Sequence, residues 1–169
     1  VAPSGSCSGM IRTHYPDLLA DDPAASERLA RFCARTYELT DFLVNVLNVD
    51  AVPGRFRGAV TYHDSCCGLR ELGVETQPRA LLKKMPDVQL VEMKDSRACC
   101  GFGGTFSIKY GDISTAIVDD KCANIRACGA DAVVLGDLGC MLNIEGRLRR
   151  TGDDKTRVLH VAQVLAGDA

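Results

Sequence analysis

Residues 58–66 read Gly-Ala-Val-Thr-Tyr-His-Asp-Ser-Cys, a short apolar run typical of a buried strand with a cysteine close behind it. Three more runs have strand character, at 87–92, 132–135 and 157–160. Stretches with helical character alternate with them, near 76–85, 113–127, 141–150 and 161–166. This alternation predicts an α/β fold, a Rossmann-like open parallel sheet with helices on both faces.

The chain before residue 58 is predicted to be mainly helical. Asp22 can cap a helix that begins with Pro23, and apolar residues recur at intervals of three and four from Leu29 to Leu47. We therefore expect one long amphipathic helix from about 23 to about 48. The turn at Pro53-Gly54 would end this segment.

Composition excludes two classes of function. The 169 residues suffice for one domain, but no apolar run approaches the roughly 20 residues that cross a bilayer. Lysine and arginine together number 20 against 22 acidic residues, and the aromatic side chains are 4 tyrosines and 5 phenylalanines. A chain with no basic stripe and few rings to stack on bases is not expected to bind nucleic acid.

The cysteine content is more informative. Cysteines occupy nine positions: 7, 33, 66, 67, 99, 100, 122, 128 and 140. A secreted disulfide scaffold is usually shorter and has an even number of cysteines, so this pattern indicates a reducing compartment. No secretory signal is visible, and we expect a cytoplasmic protein.

Four of the cysteines follow predicted strands. Cys66 comes after the first strand and Cys140 lies in the loop after the third. Cys99 and Cys100 lie in the loop after the second. Loops beyond the carboxyl ends of parallel strands form the ligand crevice of such a sheet, so these three segments are expected to converge. Converging thiolates suit soft metals, which favours zinc or an iron–sulfur cluster.

The loop that begins at Cys99 has the composition of a loop that wraps a cofactor. Its two thiols are followed by Gly101, Gly103 and Gly104, and glycine permits close backbone approach and unusual dihedral angles. The N–H groups of such a loop can donate hydrogen bonds to anionic sulfurs. Adjacent cysteines are poorly placed to form a disulfide, because their Cα atoms are only about 3.8 Å apart. We expect Cys99 and Cys100 to bind a shared group.

The other cysteines have a simpler interpretation. Cys33, Cys122 and Cys128 fall within or at the ends of predicted helices, where a free cysteine usually packs as a small hydrophobe. Cys67 is left open between metal binding and packing.

Several polar residues lie close to these cysteines. His63 can donate a hydrogen bond to a cluster sulfur or act as a ligand, or it can bond a backbone carbonyl. Asp64 and Asp137 are expected to accept backbone N–H bonds in Asx-type turns. His160 is assigned to packing or capping.

The motifs resemble a known family. A cysteine after a strand, a Cys-Cys-Gly about thirty residues later and a further cysteine about forty residues on are similar to the cysteine-rich CCG domain. That domain occurs in pairs in heterodisulfide reductases and in the iron–sulfur components of glycolate and glycerol-3-phosphate oxidation systems. Four strings resemble in particular the lactate-utilisation protein A group: His63–Cys66, Leu69–Gly73, Ala98–Ser107 and Gly139–Ile144. The resemblance covers nearly the whole chain, most specifically residues 61–144.

The resemblance implies a cofactor and a function. The cofactor would be an iron–sulfur cluster, most simply 4Fe-4S, held by Cys66, Cys99, Cys100 and Cys140. The function would be electron transfer in a 2-hydroxy-acid oxidation complex, with L-lactate oxidised to pyruvate and catalysis shared with partner subunits. The implied partners are the other subunits of a lactate or glycolate oxidation complex, which would hold the protein at the inner face of the membrane.

The family pattern also predicts the domain organisation. Residues 4–10, Ser-Gly-Ser-Cys-Ser-Gly-Met, look like the final cysteine loop of a first CCG repeat, with Cys7 where Cys140 stands in the second. Residues 1–22 would then be the tail of a preceding, truncated CCG repeat and 23–53 a long amphipathic helix and linker. Residues 54–169 would be one complete CCG domain, and the missing N-terminal repeat would itself be a partner.

Two positions depart from the family pattern. The fuller pattern ends in two cysteines separated by two residues, but the position that matches the second is Asn143. Cys67 stands where lactate-utilisation proteins commonly carry a histidine. The four remaining thiolates can still complete a four-coordinate cluster or a zinc site.

Two alternative functions stay open. The same cysteines could hold zinc, or no metal, in a structural or interaction module that docks onto other subunits. Thiol–disulfide chemistry at Cys99 or Cys100 is the other alternative, and it lacks the Cys-x-x-Cys spacing at a helix start that favours such chemistry.

Overall fold

Four parallel strands form the centre of the computed structural model, which describes residues 1–169. They are β1 Gly58–His63, β2 Val88–Leu90, β3 Ala132–Leu135 and β4 Arg157–His160, in the spatial order β2-β1-β3-β4. The predicted α/β fold with an open parallel sheet is confirmed. The strand order reverses between β1 and β3, and ligands of such sheets bind beyond the carboxyl ends of the strands at this switch point.

Helices occupy most of the remaining chain. They are α1 Gly5–Gly9, α2 Tyr15–Leu18, α3 Pro23–Ala34, α4 Leu39–Asp41, α5 Cys66–Leu72, α6 Thr76–Lys83, α7 Thr105–Lys109, α8 Gly111–Ala127, α9 Leu138–Arg150 and α10 Val161–Ala166. Two π-helical turns, Met10–His14 and Phe42–Val46, continue α1 and α4. None of the helices is long and apolar enough to span a membrane.

The strands separate two apolar cores. Val60, Tyr62 and Val134 pack on one face of the sheet against α6 and α10. Val133 and Leu135 pack on the other face against α8 and α9. Because side chains alternate along a strand, this arrangement buries both faces and requires nearly continuous apolar strands. The predicted helical cover on both faces is confirmed.

The predicted single helix over 23–48 is wrong. The helix that begins at Pro23, capped by Asp22 as expected, ends at Ala34, and residues 35–38 are not helical. The backbone at Tyr37 and Leu39 instead bonds Ala2, at 2.9 and 3.0 Å. Pairing with a distant segment therefore overrides the local helical periodicity. Phe32, which the single helix would bury, is 52% exposed.

Two predicted cysteine loops are in fact helix starts. Cys66 is the first residue of α5, and α9 begins at Leu138 rather than near 141, so that Cys140 lies in its first turn. The cause at α9 is Asp137, whose carboxylate accepts a hydrogen bond from the Gly139 N–H at 3.2 Å. A side-chain cap of this kind starts the helix directly after the strand.

The N-terminal segment packs beside the sheet edge that carries the cysteines. Helix α1 crosses α5 so closely that a Cβ on Gly5 would lie 2.8 Å from the Gly68 Cα. The hydroxyl of Ser4 and the N–H of Ser6 both donate to the Asp137 carboxylate, each at 3.0 Å. Residues 1–9 thus form one wall of the region beyond β1 and β3.

Candidate metal centre

A cavity of about 320 Å³ lies beyond the carboxyl ends of β1, β2 and β3. It is lined by Ser6, Ser65, Cys66, Cys67, Cys99, Cys100, Phe102, Gly103, Gly104, Asp137 and Cys140. The four cysteines predicted as ligands are therefore brought together, and Cys67 lies with them. The convergence follows from the parallel topology, because the segments after β1, β2 and β3 all leave the sheet at the same edge.

Three ligand atoms are especially close at the buried end of this site. The imidazole of His63 and the sulfurs of Cys100 and Cys140 offer atoms that all lie within 4.8 Å of one another, and all three residues are buried. Neither ring nitrogen of His63 has a hydrogen-bond partner of good geometry, although the backbone of Ser96 lies close enough to oppose the lowering of its pKa. Burial without a partner is unfavourable for an imidazole, and a metal ion would satisfy it.

The protonation state of His63 suits a ligand. Burial, and to a smaller extent the charge of Lys121, lower the pKa of His63 to about 3. The ring is therefore neutral at physiological pH, and a neutral imidazole keeps one nitrogen lone pair free for a metal.

The thiols are crowded in a way that also suits a metal. A hydrogen bond with Cys140 raises the pKa of Cys100 to about 12. The pKa of Cys99 is raised by its hydrogen bond with Cys100 and then by burial. Neighbouring thiols resist ionisation because each thiolate repels the next, and a bound metal reverses this because its positive charge stabilises several thiolates together. The donor set thus fits either zinc or an iron–sulfur cluster.

The loop after Cys99 is shaped by its glycines. Gly101 has φ +84°, and a Cβ there would lie 2.6 Å from the carbonyl oxygen of Ser114. Its N–H donates to the Cys99 sulfur at 3.3 Å, so the expected N–H···S bond is present. Gly103 and Gly104 also have positive φ and line the cavity. The Ser114 hydroxyl donates to the Gly101 carbonyl at 2.8 Å and holds the loop against α8.

Helix α9 adds a favourable field at Cys140. The cysteine lies in the first turn of a helix of 13 residues, where the unpaired N–H groups carry partial positive charge. Such a position stabilises a thiolate. Asp137 accepts a backbone N–H bond as expected, but it does so as the N-cap of α9 and not within a loop.

The expectation for Asp64 is wrong. Its carboxylate does not form an Asx-type turn but accepts two hydrogen bonds from the Arg79 guanidinium, at 2.7 and 2.8 Å. Arg79 also binds Glu92 through two hydrogen bonds and lies 5.2 Å from the centre of the Tyr62 ring. The arginine is 15 residues from Asp64 in the chain, so no local pattern reveals the pair. This ion-pair network holds the segment after β1 against α6.

Lys121 is a residue of the site region that sequence reasoning missed. Its side chain is 1% exposed, and its Nζ donates to the carbonyls of Asp95 and Ser96 at 2.6 and 3.2 Å. The sequence does contain a signal, because Lys121 falls inside the apolar stripe of α8 formed by Val118, Cys122 and Ile125. A lysine at that spacing is buried if the helix packs on the sheet.

Comparison with known proteins places this arrangement in a family. Residues 60–145 match the family model described as the CCG cysteine-rich domain. Over 165 residues the chain is 46% identical to lactate utilization protein A of Geobacillus kaustophilus (strain HTA426), covering 98% of this chain and 68% of that relative. Lactate utilization protein A of Bacillus subtilis (strain 168) is 44% identical over the same length and coverage.

The chain belongs to the lactate utilization protein A family. The resemblance expected from the cysteine motifs is thereby confirmed, over nearly the whole chain.

Of the two departures from the family pattern, Cys67 lines the cavity and Asn143 lies behind the loop that carries Cys99 and Cys100. Asn143 donates its amide Nδ2–H to the Cys100 carbonyl at 2.8 Å, so the residue in the expected cysteine position supports the loop. The Cys67 sulfur is 4.0 Å from that of Cys66. Burial and the neighbouring Cys66 raise the pKa of Cys67 to about 12.

The remaining cysteines of this lactate utilization protein A relative lie outside the cavity lining. Cys33 and Cys122 are buried, and the Cys128 thiol donates to the Ile125 carbonyl at 3.0 Å, in line with packing roles. Cys7 is exposed on α1 and does not reach the cavity. It is the third residue of α1, just as Cys140 is the third residue of α9.

Proposed function

We propose that this chain holds an iron–sulfur cluster and transfers electrons during the oxidation of L-lactate to pyruvate. A role in lactate utilization is supported by the family, because the relatives are named lactate utilization protein A. The observation that carries the cofactor proposal is the convergence of Cys66, Cys99, Cys100 and Cys140 on one cavity at the switch point of the sheet.

The chain's own residues would bind and tune the cluster. The four cysteines would hold it, most simply as 4Fe-4S, and when bound it supplies one-electron oxidation and reduction. The Gly101 N–H and the N-terminus of α9 would stabilise anionic sulfur. The buried positions of Cys100 and Cys140 exclude water from that side.

A zinc site is the second candidate, and a specific observation favours it. His63, Cys100 and Cys140 could supply three of the four ligands of a tetrahedral site, with Cys66 or Cys99 as the fourth. The chain would then be a structural or interaction module, because closed four-ligand zinc sites stabilise folds rather than carry electrons.

The proposal includes partners and a place in the cell. We propose that other subunits of a lactate or glycolate oxidation complex exchange electrons with this chain in the cytoplasm, at the inner face of the membrane. Residues 1–22 are proposed to be the tail of a preceding CCG repeat, followed by a linker over 23–53 and a complete repeat over 54–169. The matching positions of Cys7 and Cys140 in their helices support this division.

Metal and acid-labile sulfide analysis tests the cofactor. The full-length natural protein is purified without oxygen or reconstituted, alongside Cys100→Ser and Cys140→Ser variants. We expect about four irons and four sulfides per chain, lost in both variants. Cys128→Ser, outside the cavity lining, is the matched control and should retain them. Zinc alone, or no metal after reconstitution, would contradict the electron-transfer proposal, and stoichiometric zinc would support the second candidate.

A further inference from the structure

Lys121 is a buried cation without a carboxylate partner. Its side chain is 1% exposed, and no Asp or Glu oxygen lies within 4.0 Å of its Nζ. The two carbonyls it binds, those of Asp95 and Ser96, offer dipoles rather than a formal charge. A buried ammonium needs a compensating negative charge, since its desolvation is costly.

The nearby carboxylate cannot fully provide that charge. Asp64 has no exposed side-chain surface, and both its oxygens are engaged by the Arg79 guanidinium at 2.7 and 2.8 Å. The other anionic groups that act on Lys121 are the Asp95 carboxylate, which is exposed to solvent, and the thiolates of the candidate metal centre. Burial lowers the pKa of Lys121, and the charges of Asp64, Cys100 and Asp95 oppose that shift.

The fold places Lys121 directly behind the loop that carries two of these thiols. The carbonyls that it binds belong to residues 95 and 96, which precede Cys99 by four and three residues. The other side of that loop packs on the same helix, through the hydrogen bond from Ser114 to the Gly101 carbonyl. Helix α8 therefore holds both ends of the loop, and Lys121, its only buried charged residue, holds the end that precedes Cys99.

We propose that Lys121 is a positioning residue whose charge compensates the thiolates and raises the reduction potential of the bound group. The inference rests on the proposed function. Each electron that enters the site adds one negative charge, and a fixed cation stabilises the reduced form more than the oxidised form. For the same reason the charge of Lys121 favours binding of a metal ion or cluster whose thiolate complex has a more negative net charge than the metal-free site with neutral thiols.

A potential measurement separates this charge from a purely structural role. In the full-length protein, Lys121→Gln keeps a donor for the two carbonyls but removes the charge, and Lys109→Met removes an exposed lysine of α7 as the matched control. The cluster signal is titrated with dithionite as the electron donor. We expect the equilibrium constant for reduction to fall at least about tenfold in Lys121→Gln, which is 59 mV for one electron. Lys109→Met should leave it unchanged.

A loaded Lys121→Gln protein with an unchanged potential would overturn the role of the charge and leave the electron-transfer proposal intact. If no iron or sulfide binds to the unaltered protein, the electron-transfer proposal fails. In that case, or if only the variant fails to bind a cluster, titration of the metal-free protein with Co²⁺ tests the role of the Lys121 charge, because Co²⁺ binds the thiolates without a cluster. An apparent Co²⁺ affinity about tenfold lower in Lys121→Gln than in Lys109→Met supports the compensating charge, and equal affinities overturn it.

Discussion

The imidazole of His63 links burial to stability in the metal-free protein. Its pKa is about 3 in the folded state against 6.5 for an exposed histidine. As pH falls the unfolded chain takes up the proton first, so the stability contributed by the neutral ring is complete above pH 6.5 and is lost as pH falls towards 3. We expect the free energy of unfolding to decrease by about 1.4 kcal/mol for each pH unit in this range.

Urea denaturation of the metal-free full-length protein at several pH values measures this slope. His63→Leu is the comparison, because it removes the titrating group and fills part of the same buried volume. The variant should lack this component of the pH dependence. Equal slopes in the two proteins would show that the folded protein does protonate His63.

Gly101 tests how much the loop depends on its backbone shape. In Gly101→Ala the new methyl group meets both a positive φ of 84° and the Ser114 carbonyl, whereas Gly129→Ala, outside the cavity lining, meets a positive φ of 70° in open space. We expect Gly129→Ala to cost about 1 kcal/mol and Gly101→Ala about 1–3 kcal/mol more in unfolding free energy. Metal content should fall only in Gly101→Ala. Equal losses in both variants would mean that φ strain alone is decisive.

At the scale of elements, the crossing of α1 and α5 depends on two glycines. A Cβ at Gly5 would lie 2.8 and 2.9 Å from backbone atoms of Gly68, so Gly5→Ala must push the helices apart. We expect faster hydrogen exchange over residues 1–9 and earlier proteolysis within residues 1–22. Gly111→Ala, at a helical position with no neighbour within 4 Å, is the control and should leave both unchanged. Unaltered exchange in Gly5→Ala would contradict the tight crossing.

The elements that the sequence predicts well are those set by local patterns. The four strands and α10 agree with expectation because continuous apolar runs bounded by loops have few other solutions. The single helix expected over 23–48 is wrong, since the pairing of Ala2 with residues 37–39 is a contact between distant segments. The start of α9 differs from expectation because Asp137, predicted to lie in a loop, caps the helix.

In the candidate site, too, features set by local patterns and topology were predictable, and contacts between distant residues were not. The convergence of its cysteines was predictable because parallel topology brings the ends of β1, β2 and β3 to one edge. The ion pair of Asp64 with Arg79 and the support of Cys100 by Asn143 were not, since both join residues that no periodicity connects. Whether each cysteine binds a metal remains a prediction for the metal analysis.

For the whole molecule, metal binding should stabilise one edge of the sheet. A ligand that binds only the folded state adds about 2.7 kcal/mol at one hundred times its Kd. Because the ligands follow β1, β2 and β3, we expect hydrogen exchange to slow in α5, in residues 94–104 and at the start of α9 when metal is added. Amides that exchange only by global unfolding, in β4 and α10 as elsewhere, should slow by no more than this global stabilisation, whereas amides beside the site that open locally should gain additional protection. Added metal that gives no extra protection to α5, residues 94–104 or the start of α9 would contradict a site at this edge.

The spacing of the thiols has a consequence for how the protein matures. Cys66 and Cys67, then Cys99 and Cys100, then Cys140 are joined by long stretches of chain that include β2, α8 and β3. During synthesis the first four thiols leave the ribosome well before Cys140, and the three groups do not meet until β1, β2 and β3 have paired. A metal or cluster that takes ligands from all three groups would therefore complete its site only as the sheet forms, at the edge where the strands end.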